Sequence, residues 1–321
     1  MVELLLVIAI IGTLLGLLLP TVQTIRESAR RSHCLNNVKQ IGLALHNYHD
    51  VHRTFPPGET QLANGQPGHA WSGRLLPFLE QSSIEIDYQH TGYPSSPAGW
   101  ISMPVAHYRA LTTSISVYLC PSSTHAPTFN YDGYPEPGLM PPIAGSTPFA
   151  LWNALGMLEY QGIAGSNRLA NPSGDEISNL GVLFRNSATR FRHIEDGASK
   201  TIVVGEYSHL TQYQKFNAFQ GTGDSDGTWD IGVFPNWIFT CKTIAFTPFS
   251  PAFWPTADTY EPEASALILS TVSRAALKSG HRVGIHIVLA DGSARFLSSE
   301  VDLTLYQNLA DRADGELGGD F

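Results

Sequence analysis

Sixteen uncharged, mostly apolar residues run from Leu4 to Leu19 behind a lone carboxylate at Glu3. As a helix this stretch covers about 24 Å at 1.5 Å per residue, against a bilayer hydrocarbon core of roughly 30 Å. A secretory signal would place a basic leader before the apolar run and a small-residue cleavage site after it. Here no Ala-x-Ala site follows; Pro20 comes next, and a polar helical pattern continues through Arg26, Arg30 and Arg31. The segment therefore reads as a retained membrane anchor over about residues 1–20. Its slight shortness predicts a few further residues upstream of Met1. Glu3 is the costly element, because a carboxylate beside an apolar span rests either at the headgroup boundary or against a partner in the membrane.

Beyond Pro20, the residues Val22, Ile25, Ala29, Val38, Ile41, Leu45 and Tyr48 recur at steps near three and four. That spacing predicts an amphipathic helix continuous with the anchor. Pro20 is expected to bend it, since proline removes one intrahelical hydrogen bond and crowds the preceding turn. Phe55-Pro56-Pro57-Gly58 ends it, dividing the chain into a helical unit over residues 1–54 and a single ectodomain over residues 55–321. A second short helix is expected from Trp71 to Glu80, with Leu75, Leu76 and Leu79 on one side. TGYPSSPAG and YDGYPEPGLMPPIAGSTP read as long loops. Ser116 to Leu119, Gly181 to Phe184, Thr201 to Glu206 and Ile285 to Ala290 read as strands, being short, rich in β-branched or aromatic residues and bounded by turns. Asp291-Gly292 suits the positive φ angles of a tight hairpin, and a last helix is expected from Leu303 to Arg312. The fold class is α+β, a long N-terminal helix packed on an antiparallel sheet. With 43% hydrophobic and 15% charged residues, 29 Gly and 21 Pro, the ectodomain has a sizeable core and many loops.

After Thr54 the chain holds 14 Lys and Arg against 25 Asp and Glu, a net of −11. Such a surface repels phosphate backbones, so nucleic acid is excluded as a partner. Five of the nineteen basic residues lie between Arg26 and Arg53, a collar suited to lipid headgroups or an acidic neighbour. The collar follows the apolar segment, which runs against the usual cytoplasmic excess of basic residues, so orientation is not fixed by charge.

The stretch VELLLVIAIIGTLLGLLLPTVQTIRESARRSHCLNNVKQIGLALHNYH resembles the N-terminal helix of type IV prepilins and pseudopilins. Those typically read Phe-Thr-Leu-Val/Ile-Glu at the mature N-terminus, with a proline later in the membrane segment. Val2-Glu3 and Pro20 fit, and Met1 stands where the Leu would be. Further segments resemble a bacterial pilin-like family whose C-terminal domain is of unknown function and carries a His, nine residues, then Asp-Gly. His281 with Asp291-Gly292 has that spacing, although Arg282-Val283 replaces the Pro-Gly often seen after the His. FPPG at Phe55, YLCPSS at Tyr118, EYQGIAG at Glu159 and GVLFRNSATRFRHIEDGASKTIVVGE ending at Glu206 match in the same order. The resemblance implies a single-pass membrane protein with its ectodomain periplasmic or extracellular. It also implies processing by a prepilin peptidase, and it assigns assembly roles to Glu3 and Pro20.

The candidate sites each have a bland reading beside the functional one. His281, Asp291 and Glu206 would bind a metal or act chemically if the strands brought them together; the favoured reading is a turn and a hydrogen-bonded histidine. Asp224, Asp226 and Asp230 in GDSDGTWD alternate as in calcium loops, but the bidentate Glu and the full spacing are missing, so a solvated acidic turn is favoured. His46, His49 and His52 recur every third residue, and no carboxylate or cysteine completes a zinc set, so polar packing is expected. No Gly-x-Ser-x-Gly, His-Glu-x-x-His, phosphate loop or dinucleotide pattern appears, leaving no catalytic residues to name. No cofactor is expected, calcium being the one alternative. A pilin-like fold packs the long helix on the sheet, which implies a bridge between Cys34 and Cys120 and leaves Cys241 as a buried thiol; three reduced, buried cysteines are the alternative. The expected function is that of a non-enzymatic pilin-like or pseudopilin-like subunit of a type IV pilus-like or type II secretion-like filament, partnered by other pilin-like subunits and membrane lipid. The alternative is a membrane-tethered ectodomain that binds a glycan or a partner protein.

Overall fold

The computed structural model describes residues 2–61, 67–84, 86, 113–123, 128–129, 155–167, 178–208, 233–234, 237–238, 241–250, 276–281 and 283–316. The two Pro/Gly-rich stretches expected to be loops, and Asp224, Asp226 and Asp230, lie outside them. Helix α1 spans Val2–His52 and passes through Pro20 without interruption. Thr21 and Thr24 place their hydroxyls on the carbonyls of Leu17 and Pro20, four residues back. The helix stops where Arg53 turns to φ 61° and its N–H returns to the His49 carbonyl at 2.7 Å. Every large apolar side chain from Leu4 to Leu19 is exposed. Val22 and Ile25, which fit the amphipathic period, are exposed too; the buried stripe begins at Cys34 and continues through Val38, Ile41, Leu45 and Tyr48. The period thus runs about three turns before its apolar positions become buried, although Glu27 and Arg31 already touch His281 and Phe296 from the polar side.

The sheet beneath α1 is built from β1 (Tyr160–Ser166), β2 (Ile202–Glu206), β3 (Cys241–Ile244), β4 (Gly284–Leu289) and β5 (Ala294–Ser298), in the order β5-β4-β2-β1-β3. The first three pairings are antiparallel, and β3 joins β1 in parallel at the edge, so the sheet is mixed. Its two faces bury separate cores. Val288 and Ala290 lie with Val38, Ile41 and Leu45 of α1. Ile285, Ile287 and Leu289 lie with Tyr306 and Leu309 of a C-terminal helix, α2 (Leu303–Ala310), as period-two alternation requires. Asp302 caps α2 by accepting the Leu305 N–H at 3.0 Å. Asp311 ends it two residues before the expected limit, because its carboxylate takes both the N–H and the hydroxyl of Ser166 at 2.6 Å.

Three local expectations need correction. Ser116–Tyr118 is a single 3₁₀ turn rather than a strand. Its carbonyls are turned inward, toward the chain three residues on and toward the Asn37 amide, which donates to Leu119 O at 2.8 Å. Gly181–Phe184 is irregular: the Gly181 and Leu183 N–H groups bond back to Ala164 and Ile163 while β3 takes the edge of β1. The stretch from Trp71 is α-helical only to Arg74 and continues as 3₁₀ over Leu76–Phe78, where Pro77 contributes no N–H. Beside it, Glu59 is fully buried and holds the Arg185 guanidinium at 2.9 Å.

Candidate functional site

The β4–β5 hairpin places Asp291 at an exposed tip, away from His281. A Leu289 N–H to Ser293 carbonyl bond closes a three-residue loop, with Gly292 alone at φ 81°. That is a type I turn followed by a left-handed residue, not the two-residue turn the dipeptide suggested. The Asp291 carboxylate accepts the Ser293 N–H, so it serves the turn. His46 reaches the Ala290 carbonyl at 3.0 Å, His49 packs against Phe55 and Phe191, and His52 stacks on Tyr48. His46 alone of the three reaches the hairpin; His49 and His52 pack on aromatic rings, and His49 Nε2 has no hydrogen-bond partner among the described residues. Glu3 lies in the first turn of α1, within its exposed half, and Pro20 is seventeen residues further along.

Glu206 and His281 do meet, in a buried cluster where α1 crosses the end of β2. The β2–β4 register pairs Gly205 with Ile287, so the next residues, Glu206 and His286, face each other across the strands. Glu206 Oε2 accepts both the N–H of His286 at 3.0 Å and its Nδ1–H at 2.8 Å. Glu206 Oε1 accepts the hydroxyls of Ser279 at 2.6 Å and Ser208 at 2.7 Å. Burial alone would raise this carboxyl, yet the hydrogen bonds and charge of His286, with Ser279 and His281, hold it below its ordinary value. Both serines are in turn fixed by the backbone, Ser279 by the N–H of His281 and Ser208 by that of Gly280. Gly280 has no side chain to spare, because a Cβ there would collide with the Ser122 carbonyl.

His281 is held from α1. Its Nδ1 lies 2.6 Å from Glu27 Oε1, and Glu27 also takes Arg30 at 2.6 Å. Burial would push Glu27 up, but the hydrogen bonds and charges of His281 and Arg30 keep it below the usual carboxylate range. Against a carboxylate, the hydrogen of the His281 contact belongs to Nδ1. The Nε2 edge then faces Cys120 Sγ at 3.5 Å and Glu206 Oε1 at 3.9 Å. Cys120 is bonded to Cys34 of α1, with Cα atoms 5.3 Å apart, and Cys241 is a buried thiol outside any disulfide. Next to the bridge, Glu159 Oε2 accepts the Cys120 N–H at 2.5 Å; burial pushes Glu159 up to about 7, against the pull of Ser123 and Cys120.

An open groove of about 640 Å³ runs along this part of α1. Glu27 and His286 line it together with Arg31 and Phe296, whose ring carries the Arg31 guanidinium at 4.2 Å. Chemically the cluster presents one imidazole edge, one carboxylate and two sulfurs to a common point. Its two hydroxyls, of Ser208 and Ser279, both donate to Glu206 Oε1.

Glu27, His286, Ser208, Ser279 and Glu159 were not singled out in the sequence. Two of them left a trace there: Glu27 is the one acid among Arg26, Arg30 and Arg31, and His286 is a polar residue inside the strand GIHIVL. A family model described as "Protein of unknown function (DUF1559)" matches residues 23–304, a range that holds the whole cluster and omits the apolar start of α1. No curated protein and no solved structure matches the chain.

Proposed function

The chain belongs to the DUF1559 family of proteins of unknown function, and from that premise we propose that it is a non-enzymatic, pilin-like subunit of a filament at the cell envelope. The observation that carries this reading is the division of α1. Fifty-one residues form one helix; its first half has no cover for any large apolar side chain, and its second half is buried on the sheet from Cys34 to Tyr48. Among the described residues, one helix is long and apolar enough to cross a membrane. An uncovered apolar helix is stable in lipid or in a bundle of like helices, and a pilin-like subunit passes from the first to the second. In this reading a prepilin peptidase trims and methylates the N-terminus, lipid holds the subunit before assembly, and Glu3 meets a neighbouring subunit's terminal amine as the helices bundle. The ectodomain stands outside the cytoplasm, where a Cys34–Cys120 bridge persists.

The test is made on the native cells. Recovery of the protein in filaments sheared from the surface, with a methylated N-terminus by mass spectrometry, is the expected result. A chain found solely as a detergent-extracted monomer with an unmethylated N-terminus would overturn it.

A further inference from the structure

The buried cluster under α1 has no part in filament assembly as described above, and its geometry is that of a ligand set. The sulfurs of Cys34 and Cys120, a carboxylate oxygen of Glu206 and a ring nitrogen of His281 all lie within 4.8 Å of one another, and all four residues are buried. With its Nδ1–H given to Glu27, His281 turns Nε2 toward a disulfide sulfur at 3.5 Å and a carboxylate oxygen at 3.9 Å. A nitrogen, an oxygen and two sulfurs converging on one point form a cation's surroundings.

We propose that Cys34, Cys120, Glu206 and His281 form a redox-gated zinc site, closed as a disulfide and opened by reduction. A dithiol reductant passes two electrons and two protons to the Cys34–Cys120 bond and itself becomes a disulfide. The S–S bond breaks, and the two thiols release their protons to solvent as Zn²⁺ forms two Zn–S bonds. Zinc bonds of about 2.3 Å to sulfur and about 2.0 to 2.2 Å to nitrogen and oxygen set tetrahedral ligand atoms about 3.3 to 3.8 Å apart. The 3.5 Å from His281 Nε2 to Cys120 Sγ is already in that range, and the 3.9 Å to Glu206 Oε1 has to close by roughly 0.5 Å to reach the spacing of a nitrogen–oxygen pair. The sulfurs reach it by rotation about their side chains once the bond between them is gone.

Two thiolates and an imidazole select zinc over calcium or magnesium. The outer partners fit as well. Glu27 on Nδ1 makes the carboxylate–histidine–metal arrangement, and Ser208 and Ser279 orient the ligating carboxylate. The groove beside α1 is lined by Glu27 and His286, each one hydrogen bond away from a ligand, Glu27 from His281 and His286 from Glu206.

The full-length chain in detergent micelles tests this, reduced with a phosphine and titrated with Co²⁺ as a spectroscopic probe and with Zn²⁺ for stoichiometry. The expected result is one metal per chain after reduction and none before it. Thiolate-to-cobalt charge transfer and tetrahedral d–d bands should appear, and both should be absent in the Cys34→Ser/Cys120→Ser chain. His281→Gln should weaken Co²⁺ binding by 100-fold or more, on the order of the upper range for lost metal-site partners, and Glu27→Gln, a positioning change, by about 10-fold with the cobalt spectrum kept. Equal binding by oxidised and reduced chains, or cobalt bound without thiolate charge transfer, would overturn the proposal. So would a reduced chain that loses its near-ultraviolet circular dichroism and does not regain it with Zn²⁺.

Discussion

Glu206 and Glu59 are both fully buried, yet their surroundings drive them toward opposite protonation states. Glu206 has four donors on its two oxygens, so it folds as a carboxylate in spite of desolvation. Glu59 has Arg185 on one oxygen, while Oε2 has no hydrogen-bond partner among the described residues. Burial therefore prevails over the guanidinium and pushes Glu59 up to about 8. Between the ordinary value of 4.5 and about 8 the folded chain binds the extra proton, so stability falls as pH rises. The contribution is fully present below about pH 4.5 and gone above about pH 8, amounting to a few kcal/mol at roughly 1.4 kcal/mol per unit. Glu59→Gln, which cannot titrate, should lose that slope. Urea unfolding at pH 5 and pH 8.5 checks it: the stability of wild type relative to the variant should be lower at the higher pH, and a constant difference would refute the assignment. Glu206→Gln is a different case, since its amide N–H₂ would replace one oxygen and meet the two donors that oxygen now accepts. Its cost should be about 3 to 5 kcal/mol, the range for breaking a buried charged pair, read by the same unfolding measurement on the oxidised chain.

At the scale of elements, α1 and the β4–β5 hairpin touch through glycines. A Cβ on Gly42 would lie 2.9 Å from the Gly292 carbonyl oxygen and 3.1 Å from Val288 Cγ1; one on Gly292 would lie 3.1 Å from the His46 ring, at a φ of 81°. Gly42→Val should cost about 1 to 3 kcal/mol by overpacking and Gly292→Val a similar amount by backbone strain. Because the two residues are in contact, the double variant should depart from the sum of the single effects. Thermal melting of the four chains measures this, and unchanged midpoints would show that the helix is free to move away. The hairpin was legible because Asp-Gly states its turn chemistry locally, and α1 because its period repeats over many turns. Ser116–Tyr118 was misread because a β-rich composition says nothing about which carbonyls Asn37 will claim from another element. The partners of His281 were illegible for a related reason. Glu27 stands 254 residues away, and only the register of β2 on β4 and the seat of α1 on the sheet bring Glu27, Glu206 and His286 to the same place.

For the whole molecule, the distribution of apolar surface and charge leads to the last prediction. The folded domain covers its own core, and a net charge of −11 after Thr54 favours its hydration. The first half of α1 has the reverse character, exposing Leu4 to Leu19 with one charge, Glu3, at its outer end. Lipid alone would satisfy the leucines, but it would not reward a carboxylate, whose natural counterpart in a bundle of identical helices is a neighbour's terminal amine. Leaving either group of such a pair unmatched in a water-poor setting costs several kcal/mol. Glu3→Ala removes the carboxylate and keeps every apolar side chain of the span. The variant should therefore remain in the membrane fraction with a domain that melts like wild type, and lose its place in assemblies. In-cell crosslinking of both chains at equal expression decides the matter: the multimer ladder of wild type should collapse to monomer in the variant. Matching ladders would show that Glu3 rests at the headgroups and that the helices associate through apolar packing alone.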